Sequence, residues 1–157
     1  MYRKRSIIGV AVVLVAAGGG VAYAASDAPS ITTAQTLRFQ AQQSRITVVP
    51  VPGQTAHHPV TGDQILFTER LRQNGRSAGS DQVDCTVNGG ALVCTAVFAL
   101  RDGTISVVGT VPLNGPGRAG AMLGVTGGTG RYQNARGQVQ VKSSGPRTET
   151  EVFNLLP

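Results

Sequence analysis

Segment 125–137 constrains the fold more than any other part of the chain, because its glycines fit two incompatible structures. It contains the sequence Val-Thr-Gly-Gly-Thr-Gly-Arg-Tyr-Gln-Asn-Ala-Arg-Gly. One structure is a phosphate-binding loop that opens a helix, as in dinucleotide-binding folds. The other is a tight connection between two strands, where glycine adopts positive φ without steric cost. Residues 138–142 then alternate polar and apolar, which is typical of a strand, and too few residues remain for a doubly wound sheet. The sequence therefore favours the connection between strands.

Short alternating segments recur at even spacing from residue 62 to the end of the chain. Turn residues separate them, and no amphipathic helical pattern interrupts them. This arrangement predicts an all-β sandwich or barrel. An eighth candidate strand, 45–51, contains Pro50 and is followed by Pro52, which would confine it to an edge. With it, the count is enough to close a small antiparallel β-barrel. The other seven candidate strands are 63–71, 81–87, 91–100, 104–111, 121–126, 135–142 and 148–155.

Segment 125–137 also resembles a signature of the allene oxide cyclase and dirigent superfamily. Dirigent proteins carry Gly-Gly-Thr-Gly, an aromatic residue and Ala-Arg-Gly, which are matched here by 127–130, Tyr132 and 135–137. Plant allene oxide cyclases carry Val-Thr-Gly-Gly before the turn and Gly-Gln-Val after it, as this chain does. The resemblance covers about residues 62–155 and implies an eight-stranded antiparallel barrel of the allene oxide cyclase and dirigent type.

The same resemblance implies chemistry inside the barrel. Allene oxide cyclases close an unstable epoxide into a ring within an apolar barrel, and dirigent proteins orient two phenoxy radicals. A hydrophobic small molecule is therefore the expected partner, and no cofactor is expected. Plant relatives form trimers, so the resemblance also implies a homo-oligomer.

The first 24 residues have the features of a secretory signal peptide. Three basic residues at 3–5 precede an apolar run at 7–17, and 22–24 offer a small-x-small cleavage site. The alternative is a membrane anchor that stays attached, but the run is short and ends in glycines. We therefore expect a secreted protein with no membrane association after cleavage. We also expect an N-terminal arm at 25–61 with an edge strand, and a barrel domain at 62–157.

The charge of the chain does not indicate a nucleic-acid partner. The net charge is +6, but three of the 14 basic residues lie at 3–5, which leaves 11 basic and 8 acidic residues beyond the signal peptide. The basic residues are scattered, and the chain has no Trp for stacking on bases. We expect no nucleic-acid binding.

Two cysteines, Cys85 and Cys94, flank an Asn-Gly-Gly turn signal at 88–90. In an exported protein, a close pair of this kind favours a disulfide across a hairpin, while two free buried thiols are the alternative.

His57 and His58 are adjacent, so in a strand they would point to opposite faces, and no further ligand has suitable spacing. We expect no metal site.

Glu69 is the first candidate catalytic residue. It shares one face of strand 63–71 with Ile65, Phe67 and Leu71. If this face is interior, burial raises the pKa of the carboxyl and makes it a usable acid or base, with Phe67 beside the ligand. If the opposite face, which carries Leu66, is interior, Glu69 is a solvated charge. The sequence leaves both alternatives open.

Tyr132 and Arg136 are the second and third candidate catalytic residues. Tyr132 could donate a hydrogen bond to a ligand oxygen, and Arg136 could hold an anion or pair with Glu69. Alternatively, Tyr132 packs in the core and Arg136 braces the turn. Asn134 and Arg101 are further candidates for ligand binding.

The resulting hypothesis is a secreted cyclase or isomerase that guides ring closure or coupling of a hydrophobic molecule. Two alternatives are a barrel that binds a small ligand without turnover, and a structural barrel of the cell envelope whose lumen is filled by side chains.

Overall fold

The computed structural model describes residues 31–54, 58–113 and 120–157. The expected signal peptide and His57 lie outside these ranges. Eight antiparallel strands form a closed barrel in sequence order, because β1 pairs with β8 as well as with β2. This confirms the predicted fold class. The strands are β1 Gln35–Val49, β2 Gln64–Gln73, β3 Arg76–Asn88, β4 Ala91–Leu100, β5 Gly103–Pro112, β6 Gly120–Gly128, β7 Arg136–Gly145 and β8 Thr148–Leu156.

Strand β1 differs from the expectation at the N-terminal side of the chain. The sequence predicted an arm with an edge strand at 45–51 and a barrel domain starting at 62. Instead, β1 is 15 residues long, begins at Gln35 and lies between β2 and β8. The predicted segment 45–51 covers only the end of β1. Residues 35–44 were missed because they are rich in glutamine, and their place in the barrel depends on pairing with residues more than 100 positions away. The barrel therefore includes residues upstream of 62.

Strand β3 is also longer than predicted. The predicted strand 81–87 begins after Gly79, but Gly79 lies inside β3 with φ 150°, near an irregularity in the pairing of Leu71 and Arg72 with β3. A Cβ at Gly79 would run into the backbone carbonyl of Ala99 on β4. Glycine therefore permits a close approach between strands here instead of ending one.

The glycine-rich segment forms a strand-to-strand connection. β6 ends at Gly128, a single 3-10 turn spans Gly130–Tyr132, and β7 follows. The segment is fixed to the β4–β5 turn by a hydrogen bond from the Arg131 N–H to the Asp102 carbonyl at 2.8 Å. A Cβ at Gly128 would lie 2.6 Å from the Tyr132 carbonyl oxygen. The glycines therefore serve close backbone packing, and no phosphate-binding helix follows them.

The two ends of the barrel are built differently. The connections β2–β3, β4–β5 and β6–β7 lie at one end, and Tyr132 from the last of these is buried in the core there. Above it, Phe153 makes edge-to-face contacts with Phe39 and Phe98, with ring centroids 5.9 and 4.8 Å apart. These aromatic rings close this end. The other end, where β1 connects to β2, is open to a cavity.

A disulfide joins Cys85 on β3 to Cys94 on β4, as predicted. The two residues are direct cross-strand partners and both are buried. The covalent link therefore ties two neighbouring strands of the barrel wall.

The loop between β1 and β2 is held by Asp63, which is buried. Its two carboxylate oxygens accept hydrogen bonds from the Val51 and Val60 N–H groups, both at 2.9 Å, and its own carbonyl accepts one from the Val87 N–H. Asp63 therefore fixes the described parts of this loop against the end of β3.

No helix in the described part of the chain is long and apolar enough to span a membrane.

Replacing Asp63 tests this role. Asp63→Asn puts an amide N–H against one of the two backbone donors, so we expect a loss of about 1–3 kcal/mol in the free energy of unfolding. Urea denaturation with the disulfide intact measures it. Asp84→Asn is the matched control: Asp84 is exposed on β3, so its replacement should change stability by less than about 0.5 kcal/mol. Equal stability of Asp63→Asn and the wild type would contradict the assignment.

Candidate functional site

The barrel encloses a cavity of about 770 Å³ that opens at the β1–β2 end. His58 and Pro59 from the β1–β2 loop, and Leu113 after β5, lie at its mouth. Phe98 lies among its lining residues, whereas Phe39 and Phe153 do not and form the floor below. This volume is within the range of pockets that hold drug-sized ligands.

The wall of the cavity is chemically divided. Strands β4, β5, β6 and β7 contribute almost only hydrocarbon and the disulfide. The carboxyl groups that reach the cavity come from β2 and β8, which flank β1. The apolar lining residues of β4 to β7 include Leu92, Ala96, Phe98, Val107, Leu123 and Val139.

Glu69 projects inward from β2. It is 3% exposed, and its same-face neighbours Ile65 and Phe67 line the cavity with it, while Leu66 on the opposite face is 37% exposed. The face that carries Glu69 is therefore the interior one, which resolves the alternatives left open by the sequence.

Glu149 and Glu151 project inward from β8, and their carboxyl groups meet that of Glu69. One oxygen from each of the three residues lies within 4.8 Å of the others. β1 runs between β2 and β8, and the residue of β1 paired with Glu149 is Ala41. Because strands are about 4.8 Å apart and Ala41 has a small side chain, the glutamates can meet above β1. We call Glu69, Glu149 and Glu151 the carboxyl cluster.

Asp81 supports the cluster from β3. It is the cross-strand partner of Glu69 and is 1% exposed. Its Oδ1 accepts a hydrogen bond from the Glu69 backbone N–H at 3.2 Å, while its Oδ2 has no hydrogen-bond partner. Asp81 does not line the cavity but adds a fourth acidic group directly beside Glu69.

Burial disfavours the ionised forms of these carboxyl groups. Burial and, to a smaller extent, the neighbouring charges of Asp81 and Glu149 together raise the pKa of Glu69 to about 8. Burial raises the pKa of Asp81 to about 6, although the hydrogen bonds from Glu69 act in the opposite direction. Burial also raises the pKa of Glu149, and raises that of Glu151 well above its ordinary value. Glu69 is therefore largely protonated at neutral pH.

No basic side chain pairs with the cluster in residues 31–54, 58–113 and 120–157. The ion pair found in these ranges joins Arg131 to Asp102 at 4.0 Å on the surface. The cluster can therefore hold shared protons or receive a cation. The three carboxyl groups lie on one side of the cavity, and the facing wall is mainly hydrocarbon and offers few further oxygens to a metal ion.

The predicted site residues have different locations. Glu69 and Phe67 line the cavity. Tyr132 is buried at the closed end, where burial raises its pKa, and it does not line the cavity. Arg136, Asn134 and Arg101 are all exposed near that end and also lie outside the cavity lining. The structure does not bring Tyr132, Arg136, Asn134 or Arg101 to the cavity that Glu69 lines.

Sequence reasoning missed Asp81, Glu149 and Glu151, although a signal was present. Glu149 and Glu151 share their strand face with Phe153 and Leu155, just as Glu69 shares its face with Phe67. Asp81 likewise shares its strand face with Val83 and Cys85. Each of these acidic residues thus shares a strand face with apolar residues, as Glu69 does.

Similar barrels occur among solved structures. Pyocyanin demethylase superposes with a TM-score of 0.65 and 21% identity, covering 77% of this chain and 99% of that one. A pterocarpan synthase dirigent protein gives 0.61 and 16%, covering 78% and 86%. The Diels Alderase AbmU from Streptomyces koyangensis gives 0.57 and 16%, covering 78% and 69%.

The chain has the dirigent-type barrel fold. At these identities the likeness concerns the fold alone. No family model matches the sequence, and no curated protein sequence matches it either. The chemical properties of this dirigent-type barrel therefore depend on its own inward-facing side chains.

The raised pKa values predict how stability depends on pH. Glu69 and Asp81 have ordinary pKa values of 4.5 and 3.8 and folded-state values of about 8 and 6. Between the ordinary and the folded-state pKa values, the folded state therefore binds more protons than the unfolded state. The free energy of unfolding should then fall as pH rises from about 5 to 8, by on the order of a few kcal/mol. Urea midpoints across this range measure the slope.

Glu69→Gln is the informative variant, because it removes the group titrating near pH 8 while keeping the shape. Its curve should be flatter than that of the wild type, with the remaining slope coming from Asp81, Glu149 and Glu151. Asp84→Asn, exposed on the outside of β3, should keep the wild-type slope. Parallel curves for the wild type and Glu69→Gln would show that Glu69 does not carry the effect.

Proposed function

We propose that this protein is an exported barrel that transforms a hydrophobic small molecule in its cavity, by proton transfer at Glu69, in a ring-closure or isomerisation reaction. The observation that carries the proposal is the buried Glu69 carboxyl in a largely apolar cavity of about 770 Å³, with further carboxyl groups beside it.

The cluster combines carboxyl groups of unequal burial. Glu69 and Glu151 are buried, whereas Glu149 is only half-buried. Groups in such unequal environments ionise at different pH values, so one can donate a proton while another accepts one. We propose Glu69 as the proton donor at neutral pH and Glu149 as the acceptor. The surrounding hydrocarbon would exclude water and hold the substrate in a reactive conformation.

The comparisons support small-molecule chemistry in general. The three similar barrels are named as a demethylase, a synthase of the dirigent type and a Diels Alderase. Because one fold hosts reactions this different, the reaction of this chain must be set by its own inner residues. The disulfide is compatible with export to an oxidising compartment.

A ligand-binding barrel without turnover is the second candidate, since a cavity of this size suits a carrier equally well. The structural alternative, a lumen filled by side chains, is disfavoured by the volume of the cavity. The two remaining candidates differ in what Glu69 does to a bound molecule.

Glu69→Gln separates these candidates. The purified protein is incubated with an extract of hydrophobic metabolites, and native mass spectrometry and chromatography identify what is retained and what is converted. We expect both proteins to retain the same molecule, and the variant to convert it about 100- to 10,000-fold more slowly. Asp84→Asn should convert it at the wild-type rate.

The other outcomes are equally informative. Retention without conversion by the wild type would favour the ligand-binding barrel. Conversion at an equal rate by Glu69→Gln would contradict the acid–base role of Glu69. Retention of nothing by any of the proteins would contradict both candidates.

A further inference from the structure

The lining of the cavity has acidic groups but no basic counterpart in the described part of the chain. Glu69, Glu149 and Glu151 contribute carboxyl groups, whereas no lysine or arginine lines the cavity, and His58 is exposed at the mouth. A ligand that reaches the cluster therefore meets negative charge or protonated acids. Any ionised member of the cluster would repel an anionic ligand, because like charges in a desolvated site oppose each other strongly.

One buried acceptor at the cavity wall is unsatisfied. Glu151 lines the cavity and is 2% exposed, and its Oε2 has no hydrogen-bond partner among the described residues. Buried polar atoms in native proteins are nearly always hydrogen-bonded, so an unpaired oxygen at a cavity wall indicates a missing donor. A ligand carrying N–H groups or positive charge would supply one.

The rest of the cavity indicates what kind of cation fits. The wall opposite the cluster is hydrocarbon, and the aromatic side chains of Phe67 and Phe98 are among the lining residues. Aromatic rings attract organic cations. A divalent metal ion would find the three carboxyl groups of the cluster but few further protein oxygens across an apolar space. An organic cation instead matches both parts, with its charge at the cluster and its hydrocarbon against β4 to β7.

We propose that the cavity selects a hydrophobic organic cation, such as an apolar amine or a positively charged aromatic ring, over anionic molecules of the same shape. This inference rests on the proposed function, because it requires that the cavity holds a small molecule. It adds the charge of the substrate, which neither the fold nor the proposed reaction specifies.

A matched ligand series tests the charge preference. Three anthracenes carrying an aminomethyl, a hydroxymethyl or a carboxylate group share one shape and differ in charge at pH 7. Fluorescence titration should show the amine binding at least about tenfold more tightly than the carboxylate, with the alcohol between them. Glu151→Gln should reduce the preference several-fold, and Asp84→Asn should leave it unchanged.

Proton release provides a readout that needs no variant. Carboxyl groups that are protonated in the free protein must ionise to pair with an ammonium group, so the amine should release on the order of one proton per molecule bound, and the alcohol none. Calorimetry in two buffers of different ionisation enthalpy measures this number.

Several outcomes would overturn the inference, and they can be told apart from failure of the proposed function. Equal binding of all three anthracenes, or tightest binding of the carboxylate, would remove the charge preference while leaving a ligand-binding cavity. Stoichiometric Ca²⁺ or Mg²⁺ binding that displaces the amine would make the cluster a metal centre. Binding of none of the anthracenes, together with no retained metabolite, would remove the proposed function as well.

Discussion

The pairing of β1 with β8 is the interaction on which the rest of the structure depends. It turns an eight-stranded sheet into a closed barrel, which leaves no unpaired edge and gives every strand an inner face. It also brings the two ends of the described chain together, so that Glu149 and Glu151 on β8 lie near Glu69 on β2. Without this pairing, the glutamates of β8 would have no reason to be buried, and the cavity would have no acidic wall.

Closure has an energetic consequence at the cluster. Four acidic groups lie in or beside the cavity without a basic partner in the described residues, so ionisation opposes folding. The aromatic floor and the Cys85–Cys94 disulfide act in the opposite direction, and the chain-entropy model gives a disulfide with so short a loop about 2–3 kcal/mol. A chain selected for stability alone would place hydrocarbon at these positions. Their acidity is therefore most simply explained by function.

Much of the fold could be predicted from the sequence, because alternation and turn residues are local signals. They located β2 to β8, the end of β1 and the cysteine pair, but residues 35–44 of β1 are largely polar and owe their place to long-range pairing. The site was less accessible. Alternation identifies the residues that share a face with Glu69 but not whether that face is interior, which only the assembled barrel decides. The convergence of Glu69 with Glu149 also depends on β1 lying between their two strands, which the local pattern does not show.

The division of the cavity wall has a consequence for specificity. The acidic groups of the wall lie on β2 and β8, on either side of β1, and the hydrocarbon lies mainly on β4 to β7. A bound molecule with one polar and one apolar end therefore has one favourable orientation, with the polar end at Glu69. Since orientation supplies a large part of rate acceleration, a barrel with few catalytic groups can still direct one reaction path. Barrels of the same fold can thus differ in reaction by moving the polar groups to other inner positions, without changing the strands that carry them.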